Sequence, residues 1–366
     1  MSVTRAHRDG VTKARPPLEN IVSRVSDLIG RTPLFQLGAT ETGSRLLLKL
    51  EQFNPTGSTK VRMAEQMVTC AEQSGRLGPG GHIVEPTSGN TGLGLALIAI
   101  ERGYRFTAVV DHHACPEKLR AMAALGTELV YVGEGDATGP QTVQRLEVAQ
   151  RLAAAAGAFW ADQHNNPGNS AGYRSLAHEL LADIFGDVDY LISAIGTGGS
   201  LCGTVRELRA LGSRVVSVGV EPAGSIIFDS EPGPYWQTGS GSPGGFPVGS
   251  NVDHSMIDEG VQIGDREAFA TSRVLARRTG LLVGGSSGGA VYVALRRLVA
   301  FPAGSTVVSL ISDAGEKYLD TVFNDDWMRS RQLLCPRLEH EIGELLDRLH
   351  GLPSPRHPVE PTGTPL

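Results

Sequence analysis

Lys60 is the residue of this chain best placed to perform covalent chemistry. A strand pattern, Leu46–Leu50, runs into a polar turn, and apolar residues at helical spacing follow Lys60. We expect Ser58 to cap this helix, which places Lys60 in its first turn. The helix dipole disfavours a positive charge there, and partial burial would lower the pKa of the amine further. A larger neutral fraction makes the amine nucleophilic, as a Schiff base requires; an ordinary surface lysine is the alternative.

Three more polar turns contain glycines, and each lies between a strand pattern and a helix pattern. Their sequences are Thr87-Ser88-Gly89-Asn90-Thr91-Gly92, Gly196-Thr197-Gly198-Gly199-Ser200 and Gly284-Gly285-Ser286-Ser287-Gly288-Gly289. Hydroxyls and free N–H groups at a helix N-terminus bind carboxylates and phosphates, and successive glycines let the backbone close round an anion. These turns are therefore candidate binding loops, with well-capped turns that hold no ligand as the alternative.

Two of these turns partly match other motifs. Gly196-x-Gly198 follows a strand pattern, and Glu221 lies where a dinucleotide site places its ribose-binding acid, but the third glycine is missing. The run around Ser286 matches the G-x-S-x-G motif of hydrolases, for which Asp313 could supply the acid. The histidines that follow Asp313 all lie in the C-terminal region. A nucleotide-binding α/β protein without covalent catalysis stays open as an alternative.

Alternating strand and helix patterns must position these turns. Most apolar runs are rich in Val, Ile and Leu without alternation, as in parallel strands covered on both faces. Their repetition predicts an α/β fold with two doubly wound, mostly parallel sheets. The predicted strands include Leu281–Val283, and the predicted helices include Ile21–Ile29, Ser170–Phe185 and Leu338–Leu349.

Composition argues against several classes of function. The formal charge is −6, from 33 Lys+Arg and 39 Asp+Glu, so we expect no attraction to nucleic acid or to anionic membranes. The longest apolar runs are too short to span a bilayer, and the N-terminus lacks the apolar core of a signal peptide. The four cysteines have no metal-site spacing and fit reduced thiols, so we expect a cytoplasmic protein without a metal site.

Together the four turns resemble motifs of the pyridoxal-phosphate enzymes of the cysteine synthase and cystathionine β-synthase family. The resemblance extends from about Ile29 to Trp327 and implies the tryptophan synthase β-like fold of that family. In chain order, the matching motifs are Asn54-Pro55-x-Gly57-Ser58-x-Lys60-x-Arg62, Glu85-Pro86-Thr87-Ser88-Gly89-Asn90-Thr91-Gly92, Gly196-Thr197-Gly198-Gly199-Ser200 and Gly285-Ser286-Ser287-Gly288.

The resemblance implies a role for each residue. Lys60 would form the Schiff base with pyridoxal 5'-phosphate and then move the α-proton of the substrate. Asn90 would bond the ring oxygen of the cofactor, and Ser286 its pyridine nitrogen. The cofactor phosphate would be bound by Gly196, Thr197, Gly198, Gly199 and Ser200. The substrate carboxylate would be bound by Thr87, Ser88, Gly89, Thr91 and Gln163.

The family's reaction implies β-replacement on an O-activated L-serine, either O-phosphoserine or O-acetylserine. An aminoacrylate would form, and a nucleophile would add to give cysteine or a related β-substituted alanine. A cystathionine β-synthase and a serine or threonine deaminase are the alternatives within the family. The resemblance also implies a homodimer that acts in amino-acid biosynthesis.

The resemblance also divides the chain. A large cofactor-binding domain is expected at residues 21–50 and 160–330, and a small mobile substrate domain at residues 51–159. Residues 1–20 are expected to form a disordered tail, and residues 331–366 a C-terminal helix followed by a second disordered tail.

Several positions depart from the common family pattern. Val61 replaces the usual Asp, Ser175-Leu176 replaces Thr-Thr, and the loop at residues 239–246 has additional Gly and Ser. These departures surround the acceptor side in the family and argue against sulfide, the acceptor of housekeeping cysteine synthases. Arg62 or Arg174 near the substrate would favour a phosphoryl donor, but we expect a surface salt bridge for each of them.

Three further segments resemble a specialised branch of the family. They are Val109-Val110-Asp111, Glu221-Pro222-Ala223-Gly224-Ser225-Ile226-Ile227-Phe228 and Gly315-Glu316-Lys317-Tyr318-Leu319-Asp320. That branch uses O-phosphoserine, with acceptors such as an amino-acid amine or a sulfur oxyanion. The resemblance therefore favours a phosphoryl donor.

Overall fold

A computed structural model describes residues 21–112, 115–133, 141–184 and 186–350. Both predicted tails, residues 1–20 and 351–366, lie outside these ranges. The described strands are β1 (Leu34–Ala39), β2 (Arg45–Lys49), β3 (His82–Pro86), β4 (Arg105–Asp111), β5 (Glu128–Val132), β6 (Phe159–Trp160), β7 (Tyr190–Ala194), β8 (Val216–Pro222), β9 (Glu259–Ile263) and β10 (Thr306–Leu310). The described α-helices are α1 (Lys60–Gln73), α2 (Asn90–Arg102), α3 (Pro116–Ala124), α4 (Thr142–Ala156), α5 (Pro167–Ala171), α6 (Arg174–Asp183), α7 (Gly199–Ala210), α8 (Asp265–Thr279), α9 (Gly285–Arg297), α10 (Asp325–Ser330) and α11 (Pro336–Asp347).

The strands form two sheets, as the alternating pattern predicts. The larger sheet has the order β1-β2-β10-β7-β8-β9, and the smaller has the order β5-β4-β3-β6. Among the described strands, all paired neighbours are parallel except β1 and β2. The predicted α/β fold with two mostly parallel sheets is confirmed.

The antiparallel edge strand β1 is not predicted by the sequence pattern. Only Leu37 and Gly38 of this strand are buried, so it lacks the long apolar run that marks the central strands. It pairs with β2, with a shift of register between Gln36 and Gly38. The edge position explains the mixed pattern, because an edge strand is less covered than a central one.

One predicted strand and two predicted helices differ from the structure. Leu281–Val283 is not a strand; Val283 only forms an isolated bridge with Ala314. Residues 170–185 are not one helix, because α5 ends and α6 begins around Gly172, where a Cβ would lie 2.7 Å from the carbonyl oxygen of Arg62. At residues 21–29, only a single 3-10 turn is present, Val25–Leu28.

Helices α1 and α2 pack closely and fix the start of α1. A Cβ at Gly94 of α2 would lie 3.1 Å from Cα of Val61 and 3.2 Å from the carbonyl oxygen of Lys60. Met63 and Met67 of α1 are fully buried in the same core. The absence of a side chain at Gly94 therefore allows the N-terminus of α1 to lie against the first turns of α2.

Candidate active site

Lys60 is the first residue of α1, so it lies in the first turn as predicted. The predicted cap is wrong: the N-cap is Thr59, no side chain caps the helix, and the buried hydroxyl of Ser58 has no partner among the described residues. Burial lowers the pKa of the Lys60 amine, and the charge of Asp313 opposes this shift only in part. The amine forms no hydrogen bond within the described chain. Desolvation therefore favours its neutral, nucleophilic form.

The turn before Lys60 lies against the segment that follows β10. Thr59 N–H donates to the carbonyl oxygen of Ser312 (2.9 Å), and Ser58 forms a bridge with Asp313. Ser312 N–H in turn donates to Oγ of Ser287 (2.9 Å) at the start of α9. These contacts bring the lysine turn and the Ser286 turn together.

Asn90 begins α2, and both ends of its amide are occupied. Its Nδ2 donates to Oδ2 of Asp313 (2.8 Å), and its Oδ1 accepts from Nζ of Lys317 (2.8 Å). Asp313 Oδ2 also accepts from the hydroxyl of Tyr318 (2.5 Å). No histidine among the described residues bonds Asp313, so this carboxylate is not arranged as the acid of a hydrolase triad.

The glycine turn before α7 is closed by backbone contacts that exclude side chains. Gly198 has a φ of 85°, and a Cβ there would lie 2.4 Å from the carbonyl oxygen of Asn251. A Cβ at Gly196 would lie 3.0 Å from the carbonyl oxygen of Gly239. The backbone can adopt this tight turn only with glycine at position 198.

Gln163 connects residues 87–92, the predicted substrate loop, to the glycine turn at residues 196–200. Its Oε1 accepts from the hydroxyl of Thr91 (2.7 Å), and its carbonyl oxygen accepts from Nδ2 of Asn169 (2.6 Å). Asn169 Nδ2 also donates to Oγ1 of Thr197 (3.0 Å). Asn169 is pressed against Gly199, where a Cβ would lie 1.9 Å from its Oδ1. Asn169 was missed by sequence reasoning, although it lies six residues after Gln163.

The other predicted site residues lie on the same loops. Thr87 Oγ1 accepts from the N–H of Gly89 (3.4 Å), and Ser88 Oγ accepts from Nη1 of Arg145 (3.1 Å). Ser200 is buried in the first turn of α7. Ser286 is buried in the first turn of α9, and its hydroxyl forms no hydrogen bond with the described residues.

Three helices of the site each begin after a glycine N-cap. The N-cap residues of α2, α7 and α9 are Gly89, Gly198 and Gly284, and no side chain caps any of these helices. Among the described α-helices, only α5 and α10 have side-chain caps, Asn166 and Asn324, and α8 also begins after a glycine, Gly264. The uncapped N–H groups point out of the helix ends and fit anionic groups such as a phosphate or a carboxylate. The turn that carries the desolvated amine of Lys60 is joined through Ser312 to the start of α9, and together these loops fit a pyridoxal phosphate.

The sequence also did not predict His164 and Arg145 as residues of this site. Burial lowers the pKa of His164 to about 4, and the charges of Lys60 and Arg145 act in the same direction. His164 is therefore neutral at physiological pH. Arg145 lies on α4 and contacts the substrate loop at Ser88. No spacing in the sequence indicates that Arg145 reaches this loop, because strands β4 and β5 lie between the loop and α4 in the chain.

Arg62 and Arg174 both pair with carboxylates of the protein. Arg62 is buried, with Nε 2.7 Å from Oε2 of Glu51 and Nη1 2.7 Å from Oε1 of Glu179. Both ion pairs of Arg62 are internal, so the expected surface salt bridge of Arg62 is wrong. Arg174 is exposed and lies 3.8 Å from Oε2 of Glu207.

The predicted ribose-binding acid has a structural role. Glu221 is fully buried, and its carboxylate accepts from the N–H groups of Ile227 (3.0 Å) and Phe228 (3.3 Å) and from Nε2 of Gln262 (3.0 Å). These bonds use the carboxylate within the protein and argue against the dinucleotide interpretation. Within the described part of the chain, no helix is long and apolar enough to cross a membrane.

Comparisons with known proteins agree with this geometry. A sequence profile of the family described as "Pyridoxal-phosphate dependent enzyme" matches residues 25–313. A protein of Sinorhizobium fredii, provisionally named a cysteine synthase, is 48% identical over 321 residues, which cover 87% of this chain and 95% of that protein. The N-(2-amino-2-carboxyethyl)-L-glutamate synthase of Ralstonia nicotianae is 35% identical over 313 residues, or 84% of this chain and 91% of that protein.

A solved structure shows the same architecture. The crystal structure of an O-ureido-L-serine synthase has a TM-score of 0.76 and 35% sequence identity, covering 85% of this chain and 99% of that chain. Because the profile and these relatives span most of the sequence, the chain belongs to the pyridoxal-phosphate dependent enzymes of the cysteine synthase and cystathionine β-synthase family.

Proposed function

We propose that this enzyme catalyses β-replacement on an O-activated L-serine and makes cysteine or a related β-substituted alanine. The observation that carries the proposal is the convergence of a desolvated lysine, Lys60, with three glycine-capped helix N-termini. The names of the relatives support it, since each describes a synthase of a β-substituted alanine or of cysteine.

The chain's own residues would hold the cofactor at three places. The phosphate would lie on the N–H groups at the start of α7, in the cup formed by residues 196–200, where the helix dipole favours an anion. Ser286 has a free hydroxyl at the start of α9 for the pyridine nitrogen. When bound, pyridoxal phosphate supplies an electron sink for the bond electrons of the amino acid. A hydroxyl partner leaves that nitrogen less protonated than a carboxylate would, which suits rapid loss of a β-leaving group.

The substrate carboxylate would lie at the uncapped start of α2. Thr87, Ser88 and Thr91 bring hydroxyls to this loop, and Gln163 is fixed beside it by its bond to Thr91. The desolvated Lys60 amine would then accept the α-proton and return it, because burial lowers its pKa and favours the neutral amine.

The leaving group and the acceptor are the finer part of the proposal. Arg145 places a guanidinium against Ser88 of the substrate loop (3.1 Å), and its Nε also lies 3.2 Å from Oδ2 of the buried Asp111. Although Asp111 offsets part of the charge, the guanidinium keeps further N–H donors for an anionic group on the donor or the acceptor, and charge-assisted hydrogen bonds are the stronger ones. We therefore propose a phosphoryl donor and a specialised acceptor. The Ralstonia relative is named an N-(2-amino-2-carboxyethyl)-L-glutamate synthase. In the product of that name, a substituted alanine is attached to the nitrogen of glutamate, so an amine is the acceptor there.

Closure and assembly belong to the same proposal. The small sheet with its loops would close over the substrate carboxylate and exclude water. The proposed domains are residues 21–50 with 160–330 and residues 51–159, in a cytoplasmic homodimer. Size-exclusion chromatography with light scattering tests the dimer, and a monomeric mass at micromolar concentration would contradict it.

The reaction is tested by supplying each donor separately. The holoenzyme is mixed with O-phospho-L-serine or O-acetyl-L-serine, and the visible spectrum and release of phosphate or acetate are recorded. A panel of sulfur and amine acceptors, homocysteine included, then follows. We expect a rapid spectral change with the phosphorylated donor and product only when an acceptor is added. Release of keto acid from serine without an acceptor would instead identify a deaminase.

A further inference from the structure

Lys317 lies outside the four loops, yet it contacts two of them. It lies in the 3-10 turn Gly315–Tyr318 that follows β10, and its side chain is half-buried. Its ammonium donates to the carbonyl oxygens of Thr56 (2.8 Å) and Gly57 (3.0 Å) and to Oδ1 of Asn90 (2.8 Å). An ammonium has three N–H donors, so these acceptors use all of them.

The contact with Asn90 determines how the amide is presented. Lys317 can only donate, and the carboxylate of Asp313 can only accept, so Oδ1 must face Lys317 and Nδ2 must face Asp313. The second hydrogen of Nδ2 then remains for a ligand oxygen in the site. Without the ammonium, the Oδ1 end of the amide would lose its partner and the side chain could rotate.

The contact with the lysine turn stabilises an uncommon backbone conformation. Thr56 has a φ of 68° and Gly57 a φ of 65°, both in the left-handed region. A β-branched residue rarely adopts this conformation, so surrounding contacts must hold it. Lys317 bonds both carbonyl oxygens of this turn, which precedes Lys60 by only a few residues.

We propose that Lys317 is a positioning residue that fixes Asn90 and the Thr56–Gly57 turn for cofactor binding. The inference rests on the proposed function, because that function assigns Asn90 and Lys60 to the cofactor. Lys317 itself needs no contact with the reacting atoms.

The protonation of Lys317 makes this positioning depend on pH. Burial lowers the pKa of Lys317 to about 8; Asp313, Cys115 and Glu316 oppose this shift, and Lys118 adds to it. A neutral amine has two N–H donors for three acceptors. Positioning is therefore complete below this pKa, and part of it is lost as the pH rises through about 8.

The test compares Lys317→Met, which removes the donors, with Lys317→Arg, which keeps a cation that does not titrate in this range. Cofactor dissociation from each holoenzyme is measured by absorbance during dilution, from about pH 6.5 to about pH 9.5. We expect wild type to lose affinity above about pH 8, Lys317→Arg to lack this decline, and Lys317→Met to bind at least about tenfold more weakly throughout.

Four results separate the outcomes. Wild-type spectrum and affinity in Lys317→Met would overturn the inference, and so would the same decline near pH 8 in Lys317→Arg. If Lys317→Met fails to fold by circular dichroism, the pH profile of Lys317→Arg alone decides. A wild-type protein that never binds pyridoxal phosphate would overturn the proposed function instead.

Discussion

Burial controls the chemistry of single residues around this site. It lowers the pKa values of Lys60 and His164, and it raises the pKa of Glu85 to about 8. Each shift favours the neutral form, because a charge is costly to desolvate. Sequence reasoning predicted this effect for Lys60 from its place in the chain. For Glu85 and His164 the sequence shows neither the depth of burial nor the neighbouring charges.

Glu85→Gln tests the burial of a neutral carboxyl group. Below the ordinary pKa of 4.5 both states hold the proton, and between 4.5 and about 8 only the folded state holds it. Folding free energy from Glu85 is therefore fully present below pH 4.5 and is lost as the pH rises to about 8. We expect the variant to gain about 1.4 kcal/mol relative to wild type per pH unit across this range.

The measurement is urea denaturation of both holoenzymes at several pH values. Glu341→Gln, a change at a partly exposed carboxylate on α11, is the control and should show no such trend. Parallel stability curves for Glu85→Gln and wild type would show that Glu85 is ionised in the folded protein.

At the level of elements, the site is built from the N-termini of helices, each of which begins directly after a polar turn. The sequence predicts where most of these turns lie, because apolar strand runs and helical spacing flank them. It does not predict the break between α5 and α6, which depends on the close approach of Gly172 to Arg62. The contacts of Arg145, Asn169 and Lys317 also escape prediction, since they join segments far apart in the chain.

Gly198→Ala tests whether the turn before α7 must stay free of a side chain. The added Cβ would be strained at a φ of 85° and would lie 2.4 Å from the carbonyl oxygen of Asn251. We expect destabilisation by more than about 1 kcal/mol and at least about tenfold weaker cofactor binding.

The matched control is Gly212→Ala, just beyond the other end of α7. Gly212 has a φ of 93°, but nothing lies within 4 Å of an added Cβ. This variant should lose a similar amount of stability from backbone strain while binding the cofactor normally. Equal cofactor affinities for both variants, measured by fluorescence titration, would argue against the glycine cup.

Across the whole molecule, α3 beside the smaller sheet contacts the segment that follows β10 of the larger sheet. Nζ of Lys118 donates to the hydroxyl of Tyr318 (3.0 Å) and lies 4.4 Å from the centre of its ring. Tyr318 bonds Asp313, which bonds Asn90. This contact links α3 to the substrate loop through Tyr318 and Asp313.

Lys118→Met should weaken that contact. A charged hydrogen bond contributes about 1.5–3 kcal/mol, so we expect kcat/KM to fall by at least about tenfold, chiefly through KM. Hydrogen exchange in α3 should become faster. Arg120→Met is the control, because Arg120 on the same helix is exposed and pairs only with Glu117 among the described residues. An unchanged exchange rate in Lys118→Met would contradict this role.

The central claim is the covalent attachment of pyridoxal phosphate to the amine of Lys60. Reduction of the holoenzyme with borohydride, followed by digestion and peptide mass spectrometry, tests it most directly. We expect the visible absorbance to bleach and the phosphopyridoxyl group to appear on the peptide that contains Lys60, with no such label in Lys60→Ala. A label on a different lysine, or a reduced protein that carries no label, would contradict the account.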